Sequence, residues 1–107
     1  FTNVMNPRSA VNRKNEFMRT IVGRGASIGA NATIICGNDI GEFAFIGAGA
    51  VILKEVPSYS LWVGNPGKMI GWMSELGHRL KFNEDGIAAC PESGEEYKLE
   101  IDRVTKI

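Results

Sequence analysis

At 107 residues, the chain has room for a single domain. Twelve basic and twelve acidic side chains cancel, which argues against nucleic acid or an anionic membrane as a general partner. No apolar run nears the ~20 residues that span a bilayer, and Cys36 and Cys90 make no disulfide framework, so the expected setting is soluble and cytoplasmic. The chain opens at Phe1 in sequence that reads as mid-domain, the expectation for the C-terminal part of something longer.

Residues 1–20 are polar and irregular. Val4 precedes Val22 by eighteen positions, so residues 1–5 are expected as one further strand and 6–19 as a loop thrown out from the fold. From Val22 the pattern becomes regular. Aliphatic residues stand at every sixth position (Val22, Ile28, Ile34, Ile40, Ile46, Ile52), and a small or slim one follows four later: Ala26, Ala32, Asn38, Ala44, Ala50, Val56. Neither a helix nor a two-faced strand has a period of six. A chain coiling in flat-sided turns, each stacked on the last, does. Three hexads make one triangular turn, so Val22–Asp39 and Ile40–Pro57 are expected as two turns about 4.8 Å apart. Gly25, Asn31, Gly37 and Gly49 suit the corners because they tolerate positive φ. Phe43 and Glu55 break that corner rule, and Cys36 reads as a small buried hydrophobe.

Val63-Gly64-Asn65-Pro66-Gly67 ends the coil with a tight turn. Residues 68–77 fit either a helix face (Met69, Trp72, Met73, Leu76) or strands. Beyond them, runs at 79–82, 87–90 and 97–101 are separated by turn signals and read as small β-hairpins. The organisation is therefore a repeat unit over 1–67, carrying the loop 6–19, and an extension over 68–107.

Ile46-Gly47-Ala48-Gly49-Ala50-Val51, followed by Val63-Gly64-Asn65-Pro66-Gly67-Lys68, resembles the hexapeptide-repeat acyltransferases. That resemblance implies an all-β, left-handed parallel β-helix, a hand that sequence physics alone would not give. Phe1-Thr2-Asn3-Val4-Met5-Asn6-Pro7-Arg8 and Ile70-Gly71-Trp72-Met73 resemble one branch of that family. Its bacterial members N-acetylate the 3-amino group of a UDP-linked uronic acid for surface polysaccharide. The branch implies a homotrimer with acetyl-CoA lying between adjacent coils. Gly29-Ala30 and Gly47-Ala48-Gly49, one turn apart, would form a wall of small residues against which slender pantetheine fits. Asn65 and Pro66 would close that wall, and Lys68 would meet a CoA phosphate as a point charge. Asn3 matches an active-site asparagine that touches the sugar amine. Asn6 and Arg8 would face the nucleotide or carboxylate of the substrate.

Many relatives use a loop histidine as general base, and the one histidine here, His78, lies outside that motif. The expected chemistry is instead direct attack of a neutral amine on the thioester, oriented by Asn3. A zinc enzyme of the γ-carbonic anhydrase kind needs three histidines and is excluded. Met73-Ser74-Glu75-Leu76-Gly77 and Cys90-Pro91-Glu92-Ser93-Gly94 resemble the two knuckles of a zinc ribbon. Of its ligand positions Met73, Leu76, Cys90 and Ser93, only Cys90 is a ligand of the right type, so no metal is expected, and Met73 and Leu76 should pack in place of thiolates. Two other readings stay open: a truncated, non-catalytic trimeric scaffold, and an acetyltransferase with an antibiotic or serine-like acceptor.

Overall fold

A computed structural model describes residues 1–3 and 18–107. Among these residues there is no helix, and so none long and apolar enough to cross a membrane. The strands run β1 (Ser27–Ile28), β2 (Thr33–Ile34), β3 (Phe45–Ile46), β4 (Val51–Ile52), β5 (Ser60–Val63), β6 (Lys68–Trp72), β7 (Ile87–Ala89), β8 (Glu96–Glu100) and β9 (Arg103–Lys106).

The six-residue period builds a coil with three faces. On the first, Val22, Ile40 and Val56 form parallel bridges. On the second, β1, β3 and β5 stack in parallel, and on the third β2 lies beside β4. Ile34, Ile40, Ile46 and Ile52 point inward and are buried with Ala44 and Ala50. Each turn encloses these side chains only because the turn above covers them. Val22 is 43% exposed, because it stands on the lowest turn.

The second turn is shorter than expected. Ile28 pairs with Ile46 and Ile34 with Ile52, eighteen residues apart, but Ile40 pairs with Val56 and Ile46 with Trp62, sixteen apart. Two residues are missing from the corner after Ile52. Val56 therefore occupies an aliphatic position rather than a slim one, and Trp62 closes the top of the core. Its Nε1–H donates to Ser60 Oγ at 2.9 Å, so the indole is satisfied in a dry site.

Residues 68–72 resolve as strand. The chain turns at Gly64–Gly67, where the Asn65–Pro66 peptide is cis, and β6 runs back antiparallel to β5. Trp72 then opens a second core with Leu80, Ala88, Cys90, Tyr97 and Val104. This core lies on the antiparallel sheet β7-β8-β9. Residues 79–82 return to the 72–73 segment instead of forming a hairpin strand with 87–90: Met73 bridges Arg79, and Leu80 N–H donates to Trp72 C=O.

At the lower end Thr2 N–H donates to Ile34 C=O at 2.9 Å, and Thr2 Oγ1 accepts from Cys36 N–H at 2.9 Å. Thr2 thus extends the third face below β2. The eighteen-residue count from Val4 to Val22 would have put it on the first. Met18 N–H donates to Asn3 C=O at 2.8 Å, so Asn3 and Met18 stand side by side. Val4 and most of the expected loop 6–19 lie outside the described residues.

Candidate functional site

The small residues singled out from the sequence stack along the corner between the second and third faces. Gly29 N–H donates to Ile46 C=O at 2.7 Å, Gly47 N–H to Trp62 C=O at 2.8 Å, and Gly49 N–H to Ala30 C=O at 2.8 Å. The turn above is seated on the same corner. Val51 N–H donates to Gly64 C=O at 2.9 Å, Gly67 N–H donates to Val51 C=O at 2.7 Å, and Lys68 pairs with Val63. Ala30, Ala48, Gly49, Asn65, Pro66 and Lys68 are all exposed, which makes a continuous small-residue edge running up the coil to one cation.

The glycines of this edge serve different ends. A Cβ on Gly29 would lie 2.4 Å from the Ala48 backbone nitrogen, so the fold itself demands glycine there. A Cβ on Gly47 would meet Val63 Cγ1 at 3.1 Å. Gly49 has φ +73 and nothing within 4 Å of its missing Cβ, so its surface is open to a ligand.

Asn3 is exposed but stands at the other end of the third face, near Cys36, and not on this corner. Asn6 and Arg8 lie outside the described residues. His78 is remote from the corner as well, its Nε2 2.7 Å from Glu92 Oε1 in the C-terminal region. Among the described residues no three of His, Cys, Asp or Glu are grouped to hold a metal ion.

Sequence reasoning missed a polar and aromatic joint on the opposite corner. Phe43 (φ 57) and Tyr59 (φ 64) hold successive left-handed corner positions above Gly25, and their rings stack at 5.6 Å. A Cβ on Gly25 would fall 2.3 Å from the Phe43 ring, so the ring fills the space that glycine leaves below it. Tyr59 meets Tyr97 edge-on at 5.3 Å, tying coil to sheet. Tyr59 OH donates to Glu75 Oε2 at 2.9 Å, and Lys106 Nζ donates to Glu75 Oε1 at 3.2 Å. A cleft of about 690 Å³ opens here between the coil corner and β9. Several of its charges are paired within it, Arg24 with Glu42 and Lys106 with Glu75. The signal in the sequence was the pair of aromatics at corner positions, Phe43 and Tyr59, sixteen residues apart.

Burial pushes the Glu75 carboxyl up, but the hydrogen bonds from Tyr59 and Lys106 outweigh it and hold Glu75 below the ordinary carboxylate range. A carboxyl depressed in the folded state adds stability above its unfolded pKa and loses it as pH falls through the folded value. Acid denaturation of Glu75→Gln should therefore be flatter than wild type below about pH 4.5. Superimposable acid limbs would remove Glu75 from the joint.

No family model matches the chain. A curated relative, the dTDP-3-amino-3,6-dideoxy-alpha-D-galactopyranose 3-N-acetyltransferase of Aneurinibacillus thermoaerophilus, is 48% identical over 82 residues, 77% of this chain and 42% of its own. Serine acetyltransferase 4 of Arabidopsis thaliana is 41% identical over 64 residues, 60% of this chain and 18% of its own. The crystal structure of a maltose O-acetyltransferase from Clostridium difficile 630 superposes with a TM-score of 0.53 at 32% identity, over 55% of this chain and 32% of that one. The coil is thus the left-handed parallel β-helix of acetyltransferases. The chain's homologues are hexapeptide-repeat acyltransferases. It spans less than half the length of the curated relatives named above.

Proposed function

We propose that this chain serves an acetyl-CoA-dependent N-acetyltransferase whose acceptor is the amine of a nucleotide-linked amino sugar. The observation that carries the reading is the 48% identity to an enzyme named for that reaction on a dTDP-linked amino sugar. The exposed edge Ala30–Ala48–Gly49–Asn65–Pro66 supports it, because backbone amides are reachable there by a slender, amide-bearing ligand. In this reading the pantetheine lies along that edge and Lys68 takes a phosphate.

The third face supports a homotrimer. Its outward positions, alternating with buried Ile34 and Ile52, include Ile35, Val51 and Leu53, the last 53% exposed. Such a face is covered economically by a second copy. Asn3 sits at one end of this face and the small-residue edge at the other, so a neighbouring copy is what would bring Asn3 to the thioester. Asn6 and Arg8 would then hold the sugar nucleotide. The amine attacks the thioester carbonyl, the C–N bond forms, and the C–S bond breaks to release the CoA thiolate, which takes up the proton the amine loses. Asn3 Oδ1 accepts from the amine and fixes its direction; no protein base is required when the amine is partly neutral.

A thermal-shift titration with CoA, read alongside sedimentation, tests this. At CoA 100-fold above its dissociation constant, the trimer should gain about 2.7 kcal/mol. A monomer with no shift up to millimolar CoA would sink the reading. A trimer with no shift would leave the non-catalytic scaffold.

A further inference from the structure

The strands β7–β9 and the segment 73–78 form a module whose donor set and shape disagree. Segments 73–77 and 90–94 are two five-residue knuckles that close differently, one on the third residue back and one on the fourth. Each ends in a left-handed glycine, Gly77 at φ +82 and Gly94 at φ +76, with open space where a Cβ would be. Gly77 N–H donates to Ser74 C=O at 3.0 Å, and Gly94 N–H donates to Cys90 C=O at 2.9 Å. The knuckles face one another, since His78 on one pairs with Glu92 on the other at 2.7 Å. The Cys90 thiol is drawn down to about 7 by the hydroxyls of Ser74 and Ser93, one from each knuckle, and by the backbone amides of Ser93 and Glu92.

Met73 and Cys90, the inner ligand positions, are buried, whereas Leu76 and Ser93, the outer ones, are exposed. The expectation that Leu76 packs in place of a thiolate therefore fails: it is 51% exposed, because the outer positions of facing knuckles look toward solvent. One thiol, one thioether, one hydroxyl and one alkyl group do not hold zinc, which takes four N, S or O donors. A module this small nevertheless needs a staple beyond its own core.

The staple is Glu75. Glu75, inside the first knuckle, donates its backbone N–H to Tyr97 OH on β8 at 3.0 Å. Its carboxylate accepts from Tyr59 on the coil and from Lys106 on β9. One residue thus joins knuckle, sheet and coil. We propose that this module is a metal ribbon in form whose stabilising role has passed from a metal ion to its seat on the coil, through Glu75, Tyr59, Tyr97 and Lys106. It follows that the sheet binds no zinc, folds only against the coil, and keeps the knuckle geometry of a four-ligand site. None of this depends on the transferase reading.

The test has two arms. In the wild-type chain, chelator and added zinc should both leave the Tm unchanged, while Glu75→Gln should speed amide exchange in β8 and β9 and spare the coil strands. A Tm that falls with chelator, or Glu75→Gln exchange that is unchanged in β8 and β9, overturns the proposal. In the second arm, Met73→Cys, Leu76→Cys and Ser93→Cys are combined so that four thiolates face one another. Cobalt should then bind stoichiometrically with thiolate charge-transfer absorption, and zinc should restore the Tm lost to Glu75→Gln. Should the triple variant not fold, Leu76→Cys with Ser93→Cys changes only exposed positions and offers three thiolates. Absence of cobalt binding in both variants overturns the knuckle assignment.

Discussion

Trp62→Ala should destabilise the chain by about 3–5 kcal/mol, the range for deleting a buried aromatic side chain. Trp62 is 7% exposed and is the last inward-pointing residue of the coil, so no turn above can relax to fill its place. Its loss also removes the Nε1–H donor from Ser60 Oγ, on a residue that is 0% exposed. For a domain whose whole stability lies near 5–15 kcal/mol, such a loss is a large fraction. Trp62→Phe keeps the six-membered ring, forfeits the hydrogen bond, about 1 kcal/mol, and leaves the space of the five-membered ring, so its loss should fall between wild type and Trp62→Ala. Urea denaturation reads both. A Trp62→Ala midpoint close to wild type would mean that the top of the coil is open and that the indole does not plug it.

Gly29→Ala is the second large effect. The new methyl would fall 2.4 Å from the Ala48 nitrogen and 2.8 Å from its Cα, backbone atoms of the turn above that no rotamer change can move. Separating the turns breaks the Gly29 N–H bond to Ile46 and loosens Ile28 and Ile46 together. Overpacking of this kind costs about 1–3 kcal/mol, occasionally more, and outweighs the ~0.4–1 kcal/mol gained by stiffening the unfolded chain. Gly49→Ala is the control. It meets no atom and pays only for its positive φ, about 1–2 kcal/mol. If Gly29→Ala proves no worse than Gly49→Ala in the same denaturation, the turns stack more loosely than the backbone contact requires.

The period of six is a property of inward-facing side chains, and for that reason it was readable. Ile34, Ile40, Ile46 and Ile52 are buried where the count put them, and Cys36 is 1% exposed. What a fixed period cannot show is a change of period. Val56 satisfies the slim position of one hexad and the aliphatic position of the next, so the two-residue loss before it left no mark until the register with Ile40 was known. Residues 68–72 were ambiguous for a similar reason. Their apolar residues suit either structure, and only the antiparallel pairing with β5 across the Gly64–Gly67 turn decides for strand. Tyr97, Leu99 and Ile101 alternate as a strand should, yet Ile101 is fully exposed at the hairpin tip with φ 57, because the reversal to β9 falls there. The small-residue edge was legible as a stack of corners. The placing of Asn3 at the far end of the third face was not, because the partners that fix its neighbour Thr2 there, Ile34 and Cys36, lie more than thirty residues on.

The shortened turn has a consequence for assembly. A solenoid with an open upper rim can accept another coil end to end and grow without limit. Here the chain spends its own next segments on that rim. β6 runs antiparallel across the edge of β5, and the Gly64–Gly67 turn takes both backbone groups of Val51. The loss of two residues brings Trp62 into line so that this reversal can follow at once. The second and third faces are thereby closed at the upper rim to another coil. In polymer terms, this end of the coil is terminated on those two faces.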